Sequence, residues 1–228
     1  MKGVLNGAIS PDKRFIKING VWTYIKHPRI KVLNPTRNDP TYQSRKNLEY
    51  KLRRQTKIFE IYGKRCVCCG EDNPLFLTLD HINNNGAKHR KETKSGNYDD
   101  MIKNPNKSKY QILCHNCNSG KHRGHGICPH NITIEQPKTI LQRYYTRLWD
   151  KIFNIYGNKC VCCGERNRLF LTVDHINNDG STHRKRVGGS HNAIKDIISS
   201  KDKTKYQILC YNCNCGRERN HGICPHKN

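Results

Sequence analysis

The sequence predicts an α+β chain built as two tandem small domains stapled by metal, with a basic N-terminal arm and β-hairpin ahead of them. Three observations carry this expectation. The stretch Leu77-Thr78-Leu79-Asp80-His81-Ile82-Asn83-Asn84 returns nearly unchanged as Leu171-Thr172-Val173-Asp174-His175-Ile176-Asn177-Asn178. Each copy lies between two C-x-x-C pairs, Cys66/Cys69 with Cys114/Cys117 and Cys160/Cys163 with Cys210/Cys213. A hydrophobic content of 34% over 228 residues is poor in core-forming side chains, so two small domains need an extra staple.

Charge narrows the partner. Lys and Arg number 42 against 18 Asp and Glu, and the resulting net charge of +24 is spread along the chain rather than confined to a tail. Such a field attracts polyanions, which makes DNA the expected partner. A membrane surface is disfavoured, because there is no basic amphipathic helix with a broad apolar face and no run near the ~18 apolar residues that a span needs. Residues 1–10 lack a signal-peptide core, so the protein is expected in the cytoplasm, of a host cell if the source is viral. Thirteen cysteines, an odd number arranged as C-x-x-C, then read as zinc ligands rather than a disulfide framework.

In chain order, Phe15-Ile16-Lys17-Ile18 and Val21-Trp22-Thr23-Tyr24-Ile25 flank Asn19-Gly20, the strongest short hairpin signal. The hairpin is read either as a DNA contact or as a small sheet packing on the first domain. Residues 28–42, rich in Pro, Asn and Arg, read as a linker or extended arm. Helices are expected at 44–62 and 140–156, each closed by a glycine, Gly63 and Gly157. Laying Lys57-Ile58-Phe59 on Lys151-Ile152-Phe153 aligns the upstream cysteines, the Asp-His pairs and the His-Arg-Lys segments at an offset of 94, whereas Tyr110-Gln111-Ile112-Leu113-Cys114 meets its counterpart at 96. The two-residue difference is assigned to a polar loop, which tolerates length change. The domains are therefore drawn as 1–45 (arm), 46–130, 131–139 (linker) and 140–228.

The knuckles predict one closed four-cysteine zinc site per domain: Cys66, Cys69, Cys114 and Cys117, then Cys160, Cys163, Cys210 and Cys213. Gly70 and Gly164 supply the backbone freedom of the knuckle turn. A closed site is structural and contributes on the order of 10 kcal/mol to folding. Cys68 and Cys162 are rival ligands, and spacing favours Cys66/Cys69 and Cys160/Cys163. The 44 residues between Cys69 and Cys114 exceed what a minimal finger requires, so the chemistry is expected in the insert. There Phe76-Leu77-Thr78-Leu79 and Tyr110-Gln111-Ile112-Leu113 can pair antiparallel with a helix after Cys114, bringing Asp80, His81 and Asn118 together. Asp and Asn oxygens suit a hard divalent ion and a neutral imidazole can take a proton from water, a combination fit for phosphodiester hydrolysis. Asn116 is the runner-up ligand, better suited to satisfying turn amides.

His89, Arg90 and Lys91, and His183, Arg184 and Lys185, are read as phosphate contacts. The coda His125-Gly126-Ile127-Cys128-Pro129-His130 returns as His221-Gly222-Ile223-Cys224-Pro225-His226, and packing of the domain end is preferred there to a second metal, because only one cysteine is present. Cys215, in place of Ser119, is read as a free thiol.

Together, Leu-Thr-Leu-Asp-His-Ile-Asn-Asn-Asn-Gly, His-Arg-Lys and Tyr-Gln-Ile-Leu-Cys-His-Asn-Cys-Asn resemble the HNH nucleases of the His-Me finger (ββα-metal) superfamily, especially phage-type HNH proteins and the endonuclease VII branch with a four-cysteine zinc. The resemblance covers about residues 57–130 and 151–226, roughly two thirds of the chain. It implies an endonuclease with His81 and His175 as general bases. Asp80 with Asn118, and Asp174 with Asn214, would then hold a catalytic Mg2+ or similar ion. A further ligand place is filled by His122 in the first copy and by Glu218 in the second, a departure from uniformity that bears on whether both sites act alike. Two sites in one chain suggest a built-in dimer. The rivals are a zinc protein that binds nucleic acid without cutting it, and a chain with one cutting and one degenerate copy.

Overall fold

The computed structural model describes residues 15–18, 21–24, 40–93, 97–124, 126–131, 139–220 and 222–227. The Asn19-Gly20 turn, His125 and His221 lie outside them. The described residues form an α+β structure of eight α-helices and three two-stranded antiparallel sheets. No helix among them is long and apolar enough to cross a membrane. The chain divides into two compact units, 1–114 and 115–228. The last helix of the first sequence repeat thus belongs to the second unit.

In the first unit, β1 (Phe15–Ile18) pairs with β2 (Val21–Tyr24), with Ile18 opposite Val21 as a two-residue hairpin requires. Helix α1 (Pro40–Tyr62) begins four residues before the sequence reading, because proline is favoured in a first helical turn, where its missing N–H costs nothing. It buries Leu52, Ile58, Phe59 and Tyr62, and the Tyr62 hydroxyl donates to the Met101 carbonyl at 2.8 Å. β3 (Leu77–His81) pairs with β4 (Tyr110–Cys114), which sets Asp80 opposite Gln111 and His81 opposite Tyr110. Between them the chain forms α2 (Gly86–Thr93) and α3 (Asn97–Lys103).

The second unit opens with α4 (His115–Arg123) and a 3-10 turn at Pro129–Asn131. Helix α5 (Ile140–Tyr156) occupies the span read from the sequence. Its start is fixed by a capping box in which the Thr139 hydroxyl accepts from the Gln142 amide at 3.1 Å while the Gln142 side chain accepts from the Thr139 amide at 2.9 Å. Leu148, Ile152 and Phe153 are buried, and the Tyr156 hydroxyl donates to the Ile197 carbonyl at 2.9 Å, the same device that Tyr62 uses. β5 (Leu171–His175) pairs with β6 (Tyr206–Cys210) in the register of β3 and β4, Asp174 opposite Gln207 and His175 opposite Tyr206. The intervening α6 (Gly180–Arg186) and α7 (Ser190–Ser199) lead back to β6, and α8 (Tyr211–Arg219) follows.

The connection between the paired strands is therefore not the polar loop expected from the sequence. Two short helices fill it in each copy. The apolar signal is sparse but present: Ala193 and Ile197, four residues apart and thus on one helix face, are buried.

Candidate metal and imidazole centre

The knuckle turn is built as the sequence implied. Gly70 and Gly164 have φ of +79° and +81°, a region that L side chains avoid. Their amides donate to the Cys66 and Cys160 carbonyls at 2.9 Å. Another amide of the turn is tied to the sheet, with Val67 N–H donating to Ile112 O and Val161 N–H to Ile208 O, each at 3.0 Å. The knuckle cannot move independently of the strand that carries the downstream cysteine.

In the second unit Cys160, Cys163, Cys210 and Cys213 bring their sulfurs within 4.8 Å of one another, and Cys163 and Cys210 are 3.7 Å apart. A tetrahedron with zinc–sulfur arms of about 2.3 Å has edges of about 3.8 Å, so the donor set fits zinc. Donation from the Cys210 and Cys213 thiols pulls Cys160 down, and the same pairing pushes Cys210 and Cys213 up. In the first unit Cys66, Cys69 and Cys114 repeat the arrangement, with Cys69 and Cys114 sulfurs 3.7 Å apart, and Cys117 follows three residues later in the sequence.

The coda does more than pack. Cys162, Cys213, Cys224 and His226 form a second group of donors within 4.8 Å, with His226 Nδ1 3.2 Å from the Cys213 sulfur. In the first copy's coda the sulfurs of Cys117 and Cys128 each lie 3.4 Å from His130 Nδ1. The coda, read as packing, also sets out a Cys/His cluster able to hold metal, and Cys162, read as a rival ligand of the knuckle, lies in it. Cys215 joins neither group, and burial pushes its thiol up.

His175 stands at the end of β5 with its ring edge-on to Tyr206, centroids 5.0 Å apart. Its Nε2 lies 2.7 Å from His183 Nδ1, and His183 Nε2 lies 2.8 Å from Asp196 Oδ2. The first copy repeats the chain: His81 Nε2 to His89 Nδ1 is 2.9 Å, and His89 Nε2 to Asp100 Oδ2 is 3.1 Å. A carboxylate only accepts, so in the neutral relay the second histidine donates from Nε2 and accepts at Nδ1. The first histidine must then donate from Nε2, which makes Nδ1 the acceptor nitrogen of His81 and His175. That atom faces a glycine in both copies. A Cβ at Gly86 would sit 3.0 Å from His81 Nδ1, and one at Gly180 would sit 2.9 Å from His175 Nδ1. Burial, reinforced by the neighbouring His183, lowers the pKa of His175 and favours its neutral form. On the far side of the first relay, hydrogen bonds from Asn104 and His89 hold the Asp100 carboxyl below its usual range.

His89 and His183, expected to meet phosphate, are thus turned inward, and His183 is only 5% exposed. Arg90, Lys91, Arg184 and Lys185 remain exposed on α2 and α6. Asp100 and Asp196 had no signal in the sequence, because they are 96 apart whereas the histidines they serve are 94 apart. The two-residue length difference falls between them, yet the contact forms in both copies.

The expected divalent site looks different. Asp174 is 5% exposed; its Oδ2 accepts from Gln207 Nε2 at 2.7 Å and from Arg217 Nη1. Arg217 Nη2 donates to the Ile176 carbonyl at 2.6 Å and to Asn178 Oδ1 at 3.0 Å. A guanidinium therefore holds the place beside Asp174 that the sequence reading gave to Mg2+, and the site as arranged does not fit a divalent ion. Asn214 is half-buried and Glu218 exposed on α8. In the first copy Asp80 accepts from Gln111 Nε2 at 2.8 Å, while Asn118 and His122 lie on α4 in the other compact unit. Among the described residues every group of three or more Cys, His, Asp or Glu donors within ligand reach is built on cysteine; none contains Asp80, His81, His122, Asp174, His175 or Glu218.

Neither protein-family models, nor curated proteins, nor solved structures give a match to this chain.

Proposed function

We propose that this chain is a DNA endonuclease of the HNH type, hydrolysing phosphodiester bonds with His81 and His175 as general bases. The duplicated His–His–Asp relay is the observation that carries the reading. It fixes one tautomer, sets the acceptor nitrogen beside a glycine, and offers the imidazolium formed on proton uptake a path of hydrogen bonds to a carboxylate. The +24 charge and the exposed Arg90, Lys91, Arg184 and Lys185 supply phosphate affinity without sequence readout. Zinc in the thiolate clusters is structural. A catalytic divalent ion in the first copy would draw on Asp80 and would stabilise charge on the departing oxygen.

Arg217 on Asp174 favours a second reading, in which the first copy cuts and the second docks DNA. Supercoiled plasmid incubated with the wild type, His81→Ala, His175→Ala and the double variant separates these. Loss only in the first variant selects the asymmetric reading, and loss shared between both supports two working sites. Tight binding with no nicking by the wild type leaves a non-catalytic zinc protein.

A further inference from the structure

The two donor groups of the second copy are not separate: both contain Cys213. Its sulfur lies within 4.8 Å of Cys160, Cys163 and Cys210 on one side and of Cys162, Cys224 and His226 on the other. Two tetrahedral ions require eight donor positions, and these seven residues provide them if one sulfur serves twice. Thiolate sulfur carries more than one lone pair, and soft sulfur and imidazole donors are those zinc prefers.

We propose that the second copy binds a pair of zinc ions bridged by the Cys213 thiolate, one in a four-cysteine site and the other held by Cys162, Cys213, Cys224 and His226. Four observations support this. Cys213 is fully buried and Cys224 is 5% exposed, so both sulfurs are withdrawn from water, as a closed site needs. His226 turns Nδ1 to the cluster, 3.2 Å from Cys213 and 3.7 Å from Cys224. The chain is folded back to deliver Cys224 and His226 by Asn220, 2% exposed, which donates from Nδ2 to the Ile223 carbonyl at 3.0 Å while its own carbonyl accepts from Ile223 N–H at 3.0 Å. The Cys-x-Cys-Cys spacing also acquires a reason: the outer cysteines serve one ion and the middle one serves the other. Six thiolates and two zinc ions carry a net negative charge, which a chain of +24 readily offsets.

The first copy carries the same residues, Cys68, Cys117, Cys128 and His130, with the last three already gathered around His130 Nδ1. The proposal stands whether or not the chain cuts DNA.

Elemental analysis of the full chain, purified without chelator, tests the count. With two ions in the second copy and one in the four-cysteine set of the first, at least three zinc ions per chain are expected, and two, one for each four-cysteine set, overturn the proposal. Cys224→Ser is expected to release one zinc ion per chain while the second copy keeps its four-cysteine ion; an unchanged zinc content overturns it. Should that variant fold poorly, the wild type loaded with cadmium-113 gives an independent reading. A bridging sulfur predicts spin coupling between two cadmium resonances, one of a four-sulfur and one of a three-sulfur, one-nitrogen site. Cadmium resonances without such a coupled pair overturn the shared thiolate.

Discussion

Asn116 and Asn212 exchange hydrogen bonds: the backbone N–H of each donates to the Oδ1 of the other at 2.8 Å, with both residues buried. They occupy the same position in the two repeats, 96 residues apart, near the starts of α4 and α8. First-turn amides have no partner within their own helix, so each side chain satisfies an orphan donor of the other. The sequence reading has Asn116 satisfy amides of its own turn; the amide its side chain meets belongs to the other repeat. Replacing either residue with alanine leaves one buried N–H unpaired and is expected to lower stability by about 1–3 kcal/mol. The two variants should lose similar amounts in denaturant unfolding, because the contacts are equivalent; no loss from either would show that water takes over the bond.

Gly180→Ala sets a methyl group 2.9 Å from the proposed base atom of His175. Nicking by the second copy, isolated in a His81→Ala background, is expected to fall by at least about tenfold with zinc content unchanged. Activity equal to that of the parent would show that the lone pair on Nδ1 is not used.

Asp196→Asn keeps the size of the relay's last member but can turn an N–H toward His183 Nε2. That favours the other tautomer and removes the acceptor at Nδ1 from His175. Loss of the orienting carboxylate is expected to cost the second copy orders of magnitude in rate, by the logic of triads generally. Melting temperature, measured in parallel, should move little, since Asp196 is only half-buried.

A general base must be neutral to act. Burial and His183 lower the pKa of His175, so the acidic limb of the pH–rate profile for the second copy should lie below the ordinary imidazole value of about 6.5. Protonation is resisted in the folded state and easy in the unfolded one, so this group stabilises the fold above pH ~6.5 and the contribution declines as pH falls from there toward its lowered folded value. A limb above about 6.5 in single-turnover assays would assign the titration to another group.

Arg217→Ala leaves Asp174 buried without its cation. Breaking a buried ion pair from one side costs about 3–5 kcal/mol. If the carboxylate is a latent divalent site, millimolar magnesium should recover part of this in thermal unfolding, and calcium more weakly. No recovery with any divalent ion would make Asp174 purely structural.

Removal of the zinc proposed for the second copy, with a strong chelator, is expected to unfold the α8 region and the coda together. They are tied to the same cluster, and metal binding free energy in such small domains is largely folding free energy. Circular dichroism should show helix loss that zinc, but not magnesium, restores.

The sequence by itself determined the strands, the long helices α1 and α5 and the knuckles. Each is written in signals a few residues long: alternating apolar positions, a closing glycine, the C-x-x-C-Gly turn, and a duplication that repeats all of them. Only the tertiary structure decided that Asp100 and Asp196 complete the relays, that Arg217 neutralises Asp174, and that one sulfur, Cys213, stands between two sets of donors. These depend on side chains brought together across 11 to 53 residues of chain, where no local period records the meeting. The helices α2, α3, α6 and α7 are short and mostly polar, and they exist because packing against neighbouring elements supplies stability that brief helices lack alone.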